Sequence, residues 1–131
     1  MGKYADMTGD GAWYAMADEE TCALRAAFPS VLRAQLAGLA VTLDARPTSD
    51  EAEQEGDDER LLGLFVGSSF NEELEAVDPM PPVIRLFVEN LRDLAEDDPA
   101  RFRQEVRTTL LHEIGHYLGL GEEGLIDRGL T

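Results

Sequence analysis

Both histidines of the chain lie in one five-residue stretch, His112-Glu113-Ile114-Gly115-His116, close to the C-terminal end of the sequence. Residues i and i+4 share one face of a helix, so the two imidazoles can aim nitrogens at one common point. Neutral imidazole nitrogen binds zinc at about 2.0–2.1 Å, and a catalytic zinc keeps three protein ligands and one position for water. Glu113 follows His112 directly, so it is rotated by roughly a third of a turn and falls beside the metal rather than on it. There it can accept a proton from the water. These residue types at this spacing point to zinc-dependent hydrolysis, with His112 and His116 as ligands and Glu113 as general base.

A helix must carry the stretch, and the surrounding residues predict one over 99–118. Pro99 suits a first turn, where its missing N–H costs nothing. Phe102, Val106, Leu110, Ile114 and then Tyr117 or Leu118 recur at helical spacing, with Leu111 flanking the stripe. Gly119 and Gly121 can take positive φ and end the helix. Arg101, Arg103 and Arg107 fall mostly off the apolar stripe and read as a solvated face. Upstream, Leu39, Val41 and Leu43 alternate with Ala40, Thr42 and Asp44, which predicts a strand at 39–45 closed by Pro47. Leu61 to Val66 reads as a second strand and Val83 to Val88 as a third. Residues 71–82 read as an irregular connection, and 91–98 as either a short helix or a loop.

Before the first strand, acidic Asp18-Glu19-Glu20 followed by Cys22, Leu24 and Ala26 predicts a short helix at 17–27, stopped by Pro29. Residues 1–16 read as a loosely held arm whose Trp13 and Tyr14 can dock on the body. Residues 48–60 are strongly acidic with no apolar period, and their carboxylate spacing does not match an EF-hand. They read as a mobile solvated loop. Three strands followed by a long helix define an α+β domain: a small mixed sheet of three to four strands, packed against the long C-terminal helix and a short N-terminal one. At 131 residues the chain is expected to be one domain.

The formal net charge of −16 repels phosphate backbones, which disfavours general nucleic-acid binding and anionic membrane surfaces. Cationic peptide segments are the easier partners, and a monomer is the default expectation. One cysteine allows no intramolecular disulfide and fits a reducing compartment. Cys22 itself reads as a small core residue. No run approaches the ~18 apolar residues of a membrane span, and no charged segment followed by an apolar one opens the chain. Asp6 stands where N-myristoylation needs Ser or Thr. A cytoplasmic protein is expected.

Two imidazoles and a water leave a tetrahedral zinc one protein ligand short. In H-E-x-x-H-x-x-G-x-x-H metzincins the glycine bends the chain so that the residue three further on reaches the metal. Here Gly119 holds the glycine position and Glu122 the ligand position, with Glu123 and Asp127 as rivals. A glutamate on a second downstream helix, the thermolysin arrangement, is disfavoured by the short tail after His116. No methionine follows Met80, so the metzincin Met-turn is absent. Tyr117 lies on the wrong side of the helix to stabilise an oxyanion, which leaves Arg128 as a candidate and the donor unassigned.

This combination resembles the small bacterial zincin-like metallopeptidases, compact proteins with H-E-x-x-H-x-x-G-x-x-[D/E] near the C-terminus. The likeness extends over an N-terminal helix, Leu39–Asp44, Leu61–Phe65, Pro82–Phe87 and the motif helix. Members more often carry Asp at the position of Glu122, followed by an acidic residue, here Glu123. The resemblance implies a minimal zincin fold, bound Zn²⁺ and hydrolysis of peptide bonds in a peptide or protein substrate. Two other functions stay open. One is a zincin-like binding module that has lost or nearly lost catalysis, against which the retained Glu113 argues. The other is a metal-dependent endoribonuclease with H-x₃-H-x₅-H spacing. That family has histidine at the third position and no glutamate after the first, and this chain departs from both.

Overall fold

Val83–Phe87 is the middle strand of a three-stranded mixed sheet in a computed structural model that describes residues 10–56, 58–70, 72 and 80–119. In chain order the elements are α1 (Asp10–Ala27), α2 (Ser30–Gln35), β1 (Ala40–Asp44), α3 (Ser49–Gln54), β2 (Gly63–Val66), β3 (Val83–Phe87), α4 (Val88–Leu94) and α5 (Pro99–Leu118). The sheet order is β1-β3-β2. β1 runs parallel to β3, with Val41 opposite Ile84 and Leu43 opposite Leu86. β2 runs antiparallel on the other side, with Gly63 opposite Leu86 and Phe65 opposite Ile84. Because side chains alternate across a strand, Val41, Leu43, Gly63, Phe65, Ile84 and Leu86 share one face. The long helix packs on that face. The α+β architecture expected from the sequence is the one observed.

α5 has the predicted bounds. Asp98 caps its start by accepting the Ala100 N–H at 3.1 Å, with Pro99 in the first turn. Gly119 ends it at φ 72°, a left-handed conformation that glycine adopts without strain. The predicted stripe is the core: Phe102, Val106, Leu110, Ile114 and Tyr117 are all buried, beside Ile84, Leu86 and Leu91.

Four expectations are corrected. The N-terminal helix begins at Asp10, not near residue 17, so the latter part of the supposed arm is helical. Tertiary contacts hold its first turns: the Trp13 ring meets Phe102 edge-on with centroids 4.9 Å apart, and the Arg92 guanidinium lies 4.9 Å from the Trp13 ring centre. Arg92 also pairs with Asp10 at 2.8 Å. Residues 1–9 lie outside the described residues.

The acidic stretch over 48–60 contains a helix, α3. Thr48 Oγ1 accepts the Glu51 N–H at 3.2 Å while Glu51 Oε1 accepts the Thr48 N–H at 2.8 Å, a reciprocal capping box. Arg85 on β3 pairs with Asp44 and Glu51, and Ala52 is buried, so α3 is tied to the sheet face opposite α5. One apolar contact and an ion pair replace the missing amphipathic stripe.

Cys22 is exposed rather than in the core, because α1 turns Ala17 and Thr21 inward. Finally, Arg103 and Arg107 are not a free solvated face. Both bond to Glu20, at 3.2 and 2.8 Å, and Arg103 also bonds to Glu19 at 3.0 Å, joining α1 to α5. Burial alone pushes the Glu20 carboxyl up, but the bonds and charges of Arg107 and Arg103 outweigh it and hold Glu20 below its ordinary value.

The stretch left open at 91–98 is the second half of α4 and a turn in which Glu96 and Asp97 take positive φ. Pro29 stops α1 and opens α2, an element the sequence reading did not anticipate. Most of the expected irregular connection over 71–82 lies outside the described residues. No helix among the described residues is long and apolar enough to cross a membrane.

Candidate metal centre

The fourth and fifth turns of α5 present their polar residues on two levels. His112 and His116 are exposed, whereas Glu113 is only 7% exposed. The imidazole rings lie 4.6 Å apart between centroids, inclined at 66°. His116 Nδ1 lies 3.2 Å from Glu113 Oε1. One potential ligand atom from each of His112, Glu113 and His116 can be chosen so that all lie within 4.8 Å of one another. It is the metal-competent group of three or more such side chains found among the described residues.

The local sequence explains this layering. Leu110, Ile114 and Tyr117 face the core, so the helix turns His112 and His116 outward and leaves Glu113 at the margin. β2 covers that margin. Gly63 sits so close to α5 that a Cβ there would lie 3.4 Å from Glu113 Cγ and 2.7 Å from Thr109 Cγ2. Thr109, one turn before Glu113, is buried as well. Neither Gly63 nor Thr109 was singled out from the sequence. The available signal was a glycine inside an otherwise apolar strand, which marks a close approach.

β2 is also an edge strand of the described sheet. The Phe87 N–H donates to the Leu62 carbonyl at 2.9 Å. With the β2–β3 register, that bond makes Leu64–Arg85 and Val66–Val83 the hydrogen-bonded pairs. The N–H and C=O groups of Gly63 and Phe65 therefore point to the outer edge, where no described strand pairs with them.

The donor set fits a zinc ion. Two nitrogens bound to one tetrahedral zinc are about 3.4 Å apart. Side-chain rotation of two exposed histidines one turn apart can reach that separation. The Nδ1 side of His116 faces Glu113, which leaves Nε2 as its free nitrogen. Glu122, Glu123, Asp127, Arg128 and Gly121 lie outside the described residues. Tyr117 is buried between Phe65 and Phe70, with ring centroids 5.8 and 6.0 Å away, on the core side of the helix.

A mixed sheet packed on a helix that displays an H-E-x-x-H triplet is the pattern of a metallopeptidase domain. The chain belongs to the zincin-like metallopeptidases: the model of that family matches residues 36–130. No match to a curated protein was found. Membership implies a metal ion, and His112, Glu113 and His116 form a group able to hold one.

Proposed function

We propose that the protein is a zinc-dependent peptidase in which His112 and His116 bind the metal, Glu122 completes the ligand set and Glu113 is the general base. The observation that carries this reading is the pairing of two exposed histidines with a buried carboxylate inside one 4.8 Å cluster. A purely structural metal site needs no base at that position. When bound, zinc lowers the pKa of a water toward about 7 and polarises the scissile carbonyl.

Glu113 is suited to accept a proton from the attacking water and return it to the leaving amine. Its shielding by β2 limits competing solvent contacts around the carboxylate. A peptide substrate would add as a strand to the free edge of β2, using the outward N–H and C=O groups of Gly63 and Phe65. The charge of −16 favours cationic segments in that substrate.

The test is Glu113→Gln, which keeps size and hydrogen-bonding capacity but removes the base. Metal content should stay at the wild-type level while cleavage of an unbiased peptide library is abolished. Loss of the metal in this variant, or retained cleavage, overturns the assignment. A wild-type protein that binds zinc but cleaves no peptide would instead establish a binding module.

A further inference from the structure

We propose that Gly63 is a positioning residue for Glu113, its missing side chain setting how deeply the carboxylate sits beside His116. The inference rests on the peptidase reading for its consequence in turnover, but its geometry stands apart from it. Gly63 is not among the described glycines with positive φ, so backbone conformation does not demand glycine there. Glycine inside a strand weakens it, through chain entropy and the loss of a packing side chain. The requirement at position 63 is therefore one of space.

A Cβ at this position would lie 2.7 Å from Thr109 Cγ2, far inside the roughly 3.5–4.0 Å of a comfortable carbon–carbon contact. It would also press on Glu113 Cγ and the Arg85 carbonyl oxygen, each at 3.4 Å. Threonine in a helix has only two favoured χ1 rotamers, so its methyl can move away only by rotating into the other well. Otherwise α5 must lift from β2. Thr109 and Glu113 are one turn apart on the same helix face, so a lift at one raises the other. The lift would take Glu113 out from under β2. His116 rides on the same helix, so their 3.2 Å contact changes only because the carboxylate, released from packing, is free to turn. The neighbouring Leu110 and Ile114 are fully buried, which resists the lift and concentrates the strain at the two side chains over Gly63.

The test compares Gly63→Ala with the double variant G63A/T109S, since Thr109→Ser removes the methyl that the new Cβ would meet. Turnover, zinc content, melting and the Glu113 ¹³Cδ resonance of the purified protein are measured, the resonance being assigned by its loss in E113Q. G63A should lower kcat by roughly 10- to 100-fold, with zinc content nearly unchanged, and should shift the Glu113 resonance. G63A/T109S should restore both.

Three results would each overturn the proposal. One is a G63A protein with wild-type turnover and an unmoved resonance. Another is an equal disturbance in the T109S background, and the third is that neither alanine variant folds. If wild type and E113Q are equally inactive, the peptidase reading fails, and the resonance and its restoration still decide the role of Gly63.

Discussion

Glu113 and His116 face each other across 3.2 Å, the carboxylate side chain 9% exposed and the imidazole 52% exposed. The two therefore belong to different environments although they are one turn apart. The carboxylate is held by packing under β2, whereas the imidazole is held chiefly by its own helix. Substitutions at the two positions should separate metal binding from stability and from chemistry.

His112→Ala and His116→Ala should each change metal-free stability by no more than about 0.5 kcal/mol, because both rings are exposed and alanine is a good helix former. Each should weaken zinc binding well beyond the roughly 10- to 100-fold lost when an outer hydrogen-bond partner of a ligand is removed. Chelator competition and urea unfolding, done side by side, check the contrast. A destabilisation of several kcal/mol without metal would mean that the rings are packing residues.

Zinc should raise the melting temperature in a concentration-dependent way. At a free concentration 100 times Kd, binding to the native state alone adds about 2.7 kcal/mol. Glu122→Ala should abolish most of that increment. Glu123→Ala and Asp127→Ala should preserve it, and loss in either one would move the third ligand there.

Glu20 should make the α1–α5 contact acid-sensitive. Its folded pKa lies below the ordinary value of 4.5. The ionised carboxylate therefore contributes stability that is fully present above pH 4.5 and is lost as pH falls through the lower folded value. Glu20→Gln should cost about 1–2 kcal/mol at pH 7, since two charged hydrogen bonds weaken. The cost should shrink toward zero as pH falls below 4.5. Urea unfolding of both proteins from pH 7 downward gives the comparison, and a cost independent of pH would remove the ion pairs as its cause.

Trp13→Ala should cost about 2–3 kcal/mol, from lost apolar burial and the edge-on contact with Phe102. The damage should be local, fraying the first turns of α1 while α5 stays protected. Hydrogen exchange over residues 10–17 and 99–118 distinguishes this from global loosening.

Much of the candidate metal centre was legible in the sequence because it is local. One helix supplies His112, Glu113 and His116, and helical geometry alone fixes which of them share a face. The bounds of that helix were equally readable, since Asp98, Pro99 and Gly119 act on their immediate neighbours. The strands could be placed for the same reason, since the alternation over 39–45 and the apolar runs over 61–66 and 83–88 are properties of consecutive residues. What neighbours in sequence cannot reveal is which elements meet. The start of α1 depends on Trp13 reaching Phe102, and the orientation of Cys22 depends on which side of α1 the core occupies. α3 had a readable capping box at Thr48 and Glu51, but its anchoring to the sheet depends on Arg85, more than thirty residues away.

The burial of Glu113 is the clearest case. Sequence spacing set it beside the histidines, and only the approach of β2 at Gly63 decided that its carboxylate lies beneath them. Side-chain spacing along a helix is fixed by covalent geometry and hydrogen bonding. The depth of a side chain is set by whatever packs against it.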